Sequence, residues 1–332
     1  MSDVTPQVSV VVPTRNRSVM LKRTLEAILR QEGVDLEVIV VDEACEDDTV
    51  AMITALSDPR VSMVHHDAPR GLPAARNSGL TRATAKWVAF CDDDDTWAPT
   101  KLAAQLAALD ATPGAGWCTS GAVHVDSSFR VLAGYQPPPT GDVSRLVLQD
   151  NYIPGGGSGT MALSSLVREL GGFDTRLKWG EDWDMWSRLS LHATMAGVSR
   201  PLVAYLIHDQ SMSRNSPRFN RDVAIIEENY AEDRRALGVT LDRARLELGQ
   251  ADIDLDAHRR RSAAWHFLGN AYRGRVPKSV LRAGMAIVCP AYLTQRRKLQ
   301  RRPMPAGWLD EANEWLEPLR SQQAHEQSTG TR

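Results

Sequence analysis

The chain has 332 residues, of which 42% are hydrophobic and 24% charged, and its formal net charge is −2. This length suits about two domains, and this composition is that of an ordinary globular protein and excludes a wholly disordered chain. The polar N-terminus and the short apolar run at 8–12 argue against a signal peptide or membrane span there, and the four cysteines show no zinc or disulfide spacing, so we expect a cytoplasmic protein.

The first hundred residues alternate between strand-like and helix-like patterns. The β-branched run 8–12 predicts a buried strand, and apolar residues then recur at the spacing of one buried helix face up to Gly33. The alternation continues with strands at 36–41, 61–64 and 87–90, and with helices from Asp47 to about Leu56 and at 72–84. We therefore expect a mostly parallel, Rossmann-like sheet flanked by helices, with a ligand site at the carboxyl ends of its strands.

After Leu109 the pattern is looser. We expect a flexible pocket wall at Gly155–Gly159, a helix at 181–191, a strand at 202–207 and a lid at 209–220 that orders over a bound ligand. Helical patterns dominate from Arg221. The residues after Gln322 are polar enough to predict a disordered tail.

Four consecutive carboxylates, Asp92–Asp95, follow the strand at 87–90. At the end of a buried strand they would repel one another unless a cation lay among them. Their oxygen ligands suit Mg²⁺ or Mn²⁺, which bind one or two carboxylates and otherwise the phosphate oxygens of a substrate. The alternative is an exposed acidic turn that caps the helix starting near Pro99.

The whole segment Trp87–Leu102, with Asp-x-Asp-Asp followed by Trp, Pro and Lys-Leu, resembles the metal and diphosphate motif of family 2 of the inverting glycosyltransferases. The resemblance implies an α/β fold of the GT-A type. It makes Asp92 and Asp94 the two acids of the DxD motif and metal ligands, with Asp94 the more direct ligand. Asp93 and Asp95 would then assist, Asp93 in donor binding, or only cap the helix.

Three further segments are similar to donor-binding motifs of the same family. Val8–Arg17 ends in Pro-Thr-x-Asn, which assigns Pro13, Thr14, Arg15 and Asn16 to the donor site. The second strand ends in Asp42-Glu-Ala-Cys, where the family has Asp-Asp-Gly-Ser, so Glu43 takes the place of the acid that accepts the imide N–H of a uracil. Gly71–Gly79 matches a motif that places Arg76 beside the nucleotide.

Two later segments resemble the acceptor side of the family. Gly171-Gly-Phe-Asp followed by Glu181-Asp-x-Asp implies that Asp182 is the general base, with Glu181 bonding the acceptor or the donor sugar. The alternative is that both acids only stabilise a helix N-terminus. Tyr205-x-x-His-x-x-Ser makes His208 a candidate metal ligand, although a lone histidine is more often structural.

The resemblance predicts an inverting, metal-dependent transfer of a sugar from a nucleoside diphosphate, with UDP as the expected nucleotide and Mn²⁺ or Mg²⁺ as the cofactor. The acceptor would be a saccharide, a lipid-linked saccharide or a small molecule, and no nucleic-acid partner is expected. The alternative is a catalytically degenerate sugar-nucleotide-binding or scaffold protein. The expected organisation is a donor half at 1–110, an acceptor half at 111–215, a helical extension at 216–322 and the tail at 323–332.

The segment 257–302 lies outside the resemblance and contains ten Arg and two Lys but no Asp or Glu. Its apolar residues are interleaved with these cations, which is typical of helices that lie on an anionic membrane surface and would give peripheral contact at the inner face. The alternative is that they pack on the catalytic domain or form a homodimer contact. The Arg-rich composition of the whole chain weakens each single Arg as a signal.

Overall fold

The computed structural model of the protein describes residues 5–208, 219–274, 276–299 and 304–328. The chain divides into two units. The first comprises Met1–Val147, Tyr152–Ile207 and Met304–Arg332, and the second comprises Leu148–Asn151 and His208–Pro303. The predicted donor half and most of the predicted acceptor half, residues 111–147 and 152–207, thus lie in the first unit. The C-terminal segment from Met304, which the sequence placed in the helical extension, also belongs to the first unit. Most of the predicted lid, 209–218, lies outside the described residues.

A sheet of nine strands forms the frame of the first unit. The strands are β1 (Val8–Thr14), β2 (Leu36–Asp42), β3 (Val61–His65), β4 (Trp87–Phe90), β5 (Thr96–Trp97), β6 (Ala115–Val125), β7 (Val131–Tyr135), β8 (Thr160–Leu163) and β9 (Thr194–Leu206). Their order in the sheet is β3-β2-β1-β4-β8-β6-β9-β5, with β7 paired to β6. The helices of this unit are α1 (Ser18–Leu29), α2 (Thr49–Leu56), α3 (Leu72–Arg82), α4 (Lys101–Asp110), α5 (Ser144–Val147), α6 (Ser164–Glu169), α7 (Glu181–His192) and the C-terminal α14 (Trp308–Ser328).

The N-terminal half of the sheet is parallel, as the alternating pattern predicts, because β1 pairs with β2 and β4, and β2 pairs with β3. All seven residues of β1 are buried, as expected for a central parallel strand covered on both faces. The other half is mixed: β8 runs antiparallel to β4 and β6, whereas β6 and β9 are parallel. The acidic run Asp92–Asp95 follows β4, where these two halves join.

Helix α14 packs on the far half of the sheet. Ala312, Leu316 and Leu319 join a buried apolar cluster with residues of β6 and β9. Trp308 approaches Gly121 so closely that a Cβ at that position would lie 2.2 Å from the indole ring, so only glycine fits there. The helix runs to Ser328, so residues 323–328 of the predicted tail are helical.

The second unit is helical. It contains α8 (Phe219–Asn229), α9 (Ala231–Leu237), α10 (Arg243–Asp256), α11 (Arg260–Arg273), α12 (Lys278–Val288) and α13 (Pro290–Leu299). Its core joins α10 to α13 through Leu255, Phe267 and Leu293 and several alanines. Among the described residues of the whole chain, no helix is both long enough and apolar enough to cross a membrane.

Candidate active site

The four acids after β4 alternate in exposure. Asp93 and Asp95 are buried, whereas the side chains of Asp92 and Asp94 keep 25% and 14% of their accessible surface. Two carboxylates of the run therefore point towards a cavity or solvent and two point into the protein. The exposed pair is the pair that the resemblance assigns to the DxD motif.

Asp95 holds the end of β4 in place. Its carboxylate accepts hydrogen bonds from Ser158 Oγ at 2.5 Å and from the Leu206 amide at 3.1 Å. Ser158 Oγ in turn accepts the Asp92 amide at 3.0 Å. Burial, with Asp94 and Asp92 adding to it, raises the pKa of Asp95 well above its usual range. These contacts make Asp95 a structural residue and Ser158 a positioning residue for the acidic run.

Arg17 follows β1 and neutralises two of the acids. Its Nη1 lies 2.9 Å from Asp93 Oδ1 and 2.9 Å from Asp94 Oδ2. Thr14 at the end of β1 donates to Asp93 Oδ2 at 2.8 Å. Burial raises the pKa of Asp93 to about 6, although Arg17 opposes this shift. The sequence placed Thr14 and Asp93 in the site and included Arg17 only as part of the segment after the first strand. It gave no signal that Arg17 pairs with Asp93, which lies 76 residues away in the chain.

Arg76, on α3, connects the acidic run to α7. The side chain is fully buried, with Nη2 at 2.7 Å from Asp92 Oδ1 and Nη1 at 3.0 Å from Glu181 Oε1. Burial alone would lower the pKa of the Arg76 guanidinium, but the carboxylates of Asp92, Glu181 and Asp182 raise it above its ordinary value. The structure therefore brings together residues that the sequence placed in separate motifs.

The loop before α7 is fixed by the same helix α3. Asn77 donates to the Phe173 carbonyl at 2.8 Å and accepts the Phe173 amide at 2.7 Å, while the guanidinium of Arg76 lies 5.2 Å from the Phe173 ring centroid. The segment Gly171–Asp174 thus packs on Arg76 and Asn77 of α3. This packing sets the position at which α7 begins with Glu181 and Asp182.

The two acids that open α7 differ in their surroundings. Glu181 is buried against Arg76, and burial raises its pKa to about 7, with Asp182 adding to the shift and Arg76 opposing it. Asp182 is half-buried, and its Oδ1 accepts its neighbouring Trp183 amide at 2.7 Å. Its Oδ2 faces Gly156, where an added Cβ would lie 3.6 Å away. The first turn of α7 holds Asp182 in a partly accessible position.

The loop Gly155–Gly159 forms a 3₁₀ turn at Gly156–Gly159 with Gly157, Ser158 and Gly159 buried, so it is packed between neighbours and is not the flexible wall that the sequence suggested. A Cβ on Gly157 would lie 2.4 Å from Arg76 Nη2. Glycine is required there because the backbone approaches the guanidinium closely.

The acids after β2 are occupied by a second network. Asp42 is buried and accepts the Cys45 amide at 2.8 Å and His65 Nδ1 at 2.7 Å. Glu43 Oε1 bonds His66 Nδ1, and Glu43 Oε2 accepts the amides of Arg70 at 2.9 Å and Gly71 at 2.6 Å. His66 Nε2 continues the network to Ser78 Oγ at 2.8 Å. In this structure Glu43 therefore orders the loop that leads into α3.

The structure gives contacts for some of the remaining predicted residues and not for others. Pro13 is buried within β1, and Asn16 Oδ1 accepts the Glu46 amide at 2.8 Å, which joins the loops after β1 and β2. Arg15 is exposed and makes no side-chain hydrogen bond or ion pair with any described residue. His208 follows β9 and is the first residue of the longer segment of the second unit. Its role as a metal ligand stays a prediction.

Lys101 is a buried cation that sequence reasoning noticed only as part of a motif. It is fully buried, donates to Gln105 Oε1 at 2.8 Å and lies 3.7 Å from the Trp97 ring centroid. Burial lowers the pKa of Lys101 to about 7. Gln105 also donates to the Gly159 carbonyl at 2.9 Å, so Lys101 and Gln105 together help to hold the turn at Gly156–Gly159 in place.

The donor set of the acidic run suits a divalent cation. Asp92 and Asp94 offer oxygen ligands at an accessible edge, and Mg²⁺ commonly binds one or two carboxylates together with substrate phosphates. Within the described residues, no group of three or more His, Cys, Asp or Glu side chains is arranged to hold a metal ion.

The sequence matches a known protein family and is similar to several characterised proteins. Residues 9–168 match the family model described as Glycosyl transferase family 2. The succinoglycan biosynthesis protein ExoO of Rhizobium meliloti (strain 1021) is 40% identical over 109 residues, which are 33% of this chain and 31% of that protein. WfgD of Escherichia coli, a UDP-Glc:alpha-D-GlcNAc-diphosphoundecaprenol beta-1,3-glucosyltransferase, is 28% identical over 102 residues, 31% of this chain and 40% of that protein. The alignments thus span less than half of either relative.

A solved structure shares the fold. The mannosyltransferase PcManGT from Pyrobaculum calidifontis, in complex with GDP-Man and Mn²⁺, superposes with a TM-score of 0.56 at 22% identity and covers 93% of this chain and 86% of that one. The predicted α/β fold of the GT-A type, with a helical C-terminal region, is confirmed.

Proposed function

We propose that this chain, which matches the model of Glycosyl transferase family 2 over residues 9–168, transfers a sugar from a nucleoside diphosphate to the hydroxyl group of an acceptor. The observation that carries the proposal is the buried guanidinium of Arg76, which binds Asp92 after β4 and Glu181 at the start of α7. One cation thereby links Asp92, one of the two acids that suit a diphosphate-bound metal, to Glu181, the chain neighbour of the acid that suits a general base.

The donor would bind at the acidic edge. Asp94, with Asp92, would hold Mn²⁺ or Mg²⁺, and the metal when bound would neutralise charge on the departing diphosphate. Arg17 and Arg76 hold these carboxylates in place before the donor arrives. The presence of Mn²⁺ with PcManGT supports a divalent cation in this fold.

Asp182 would act as the general base in a single displacement. The acceptor oxygen attacks the anomeric carbon, the bond from that carbon to the phosphate oxygen breaks, and the hydroxyl proton passes to Asp182. Attack from the side opposite the leaving group inverts the anomeric configuration. The half-buried position of Asp182 supports this role, because one oxygen is anchored by the Trp183 amide and the other faces the Gly156 side of the site. Glu181, bound to Arg76, would position Asp182 and the sugar.

UDP is the proposed donor nucleotide. The support is the acid at position 43 and the UDP-Glc in the name of WfgD, whereas PcManGT binds GDP-Man on the same fold. Glu43 already accepts three hydrogen bonds, and a carboxylate has about four lone-pair sites, so one remains for a uracil imide. Calorimetry with the metal present tests this. UDP should bind more tightly than GDP, and equal or tighter binding of GDP would contradict the assignment.

A lipid-linked saccharide is the acceptor class we propose to test first, since WfgD acts on a diphosphoundecaprenol-linked sugar. The full chain would be incubated with a panel of UDP-sugars, Mn²⁺ or Mg²⁺ and lipid diphosphate saccharides, and UDP release would be measured. Asp182→Asn is the matched control, since it keeps the fold and the donor site. Metal-dependent release by the parent that the variant lacks supports the proposal. Donor binding without release or transfer across the panel would instead indicate a degenerate binding protein.

A further inference from the structure

Helix α12 has two apolar faces, and the larger side chains are on the outer one. Its inner face is made of small residues, Ser279, Ala283 and Ala286, which are buried. Its outer face carries Val280, Leu281, Ile287 and Val288, of which Leu281 keeps 71% and Val288 83% of its accessible surface. A helix that only packed within its unit would bury its larger aliphatic side chains and expose polar ones.

The neighbouring helix α11 shows the same feature. Trp265, Leu268 and Tyr272 are exposed at the spacing i, i+3 and i+7, which is one face of a helix. Phe267, on another face, fills the core of the unit. The structure therefore divides the apolar residues of 257–302 into a packed set and an exposed set, where the sequence left both interpretations open.

The segment that carries these exposed side chains has charges of one sign, and two of its arginines, Arg259 and Arg273, pair with Asp254 and Glu247 of α10. Residues 257–302 contain twelve cations and no carboxylate. Arg260, Arg261 and Lys278 are exposed, and none of them pairs with a carboxylate of the described residues. Exposed aromatic and aliphatic side chains bordered by unpaired cations are complementary to a lipid surface with anionic headgroups, where apolar groups enter the acyl boundary and cations meet phosphates.

We infer that the exposed faces of α11 and α12 form a docking surface for an anionic phospholipid bilayer. The inference does not depend on the proposed catalysis, because it rests on side chains of the second unit alone. The test uses the full chain and sedimentation with vesicles of phosphatidylcholine that contain phosphatidylglycerol. The chain should cosediment at low salt, less at high salt, and much less with vesicles of phosphatidylcholine alone.

Two pairs of substitutions separate the contribution of the cations to vesicle binding from that of the apolar side chains. Arg260→Gln with Arg261→Gln should weaken binding to the anionic vesicles by about 30-fold at low salt. Leu281→Ser with Val288→Ser should weaken it by about tenfold, since two apolar side chains lose their burial in lipid.

The matched controls change the same residue types on the first unit or on α9. Arg82→Gln with Arg235→Gln removes two exposed cations, and Val19→Ser with Leu309→Ser removes an exposed Val and an exposed Leu. Both control pairs should bind vesicles as the parent does. Circular dichroism and UDP binding, which should be unchanged in all four, confirm that each protein is folded.

Three results would overturn the inference. The first is a parent that binds no anionic vesicles, or binds pure phosphatidylcholine equally well. The second is parent-like vesicle binding by the variants on α11 and α12. The third is a parent that is a dimer by light scattering and that Leu281→Ser with Val288→Ser converts to a monomer, which would assign the surface to a second copy of the chain.

Discussion

Replacing Arg76 with methionine tests whether the buried guanidinium holds the two halves of the site together. The side chain is 1% exposed and binds two carboxylates, and methionine keeps an unbranched apolar stem but has no charge. Removing one partner of a buried ion pair typically costs about 3 to 5 kcal/mol, because the other charge stays buried and unpaired. Asp92 keeps contact with solvent, so most of the cost comes from the buried carboxylate of Glu181. We expect the free energy of unfolding to fall by about 3 kcal/mol at alkaline pH.

The pH dependence of this loss identifies its source. The pKa of Glu181 is about 7 in the folded parent, above its ordinary value, so folding is favoured when the group is protonated and less favoured as pH rises towards 7. Without Arg76 the pKa of Glu181 should rise further, since the guanidinium that opposes the shift is gone. The free-energy difference between parent and variant should therefore be smaller near pH 5.5 and larger near pH 8.5.

Urea denaturation followed by tryptophan fluorescence at both pH values measures this difference. Glu181→Gln alone should remove most of the pH dependence, and the double variant should lose less than the sum of the two single losses, because the residues are in contact. A loss below about 1 kcal/mol at alkaline pH, or additive losses in the double variant, would refute the role given to Arg76.

Other substitutions test the remaining parts of the site. Asp94→Asn should abolish transfer with the fold intact, and full activity of the parent after chelation would contradict the metal role. Asp182→Asn should lower the rate by about 10² to 10⁴ and leave donor binding unchanged, whereas a rate close to that of the parent would remove it from the mechanism. Gly157→Ala should destabilise by about 1 to 3 kcal/mol because its Cβ meets the buried guanidinium, while Gly249→Ala, with open space around it, should not destabilise in a thermal melt. Ala44→Gly should stabilise by about 1 kcal/mol in a thermal melt, since Ala44 has a φ of 55°, and an unchanged midpoint would show that the position is unstrained.

The first half of the fold was predictable because its signals are local. Buried parallel strands are continuous apolar runs, and the helices between them show one apolar face, so β1 to β4 and α1 to α3 were placed within a few residues. The strand β6 was missed, since Ala115–Val125 contains Gly, Ser, Thr and His and lacks the apolar run and alternation that sequence rules use. Its register comes from pairing with β7, β8 and β9, which no local pattern encodes.

The site was predictable as a set of motifs but not as a set of contacts. The resemblance named Asp92, Arg76 and Glu181 separately, whereas their ion pairs join residues up to 105 positions apart in the chain. The contacts of Arg17 and Ser158 were missed for the same reason. Ala44 shows the converse: the family pattern has glycine there, and the left-handed φ at this position explains physically why glycine is favoured.

The carboxyl groups around Arg76 outnumber the guanidinium groups, and this excess of negative charge favours the binding of a cation. The run Asp92–Asp95 together with Glu181 and Asp182 brings six carboxyl groups to two guanidinium groups, those of Arg17 and Arg76. The raised pKa of Asp93, about 6, and of Glu181, about 7, means that protons offset part of the excess negative charge near neutral pH. A diphosphate donor bound at this edge, as proposed, would add further negative charge and would require additional positive charge. A divalent cation at the accessible pair of acids would supply that charge without displacing either arginine from its buried partner.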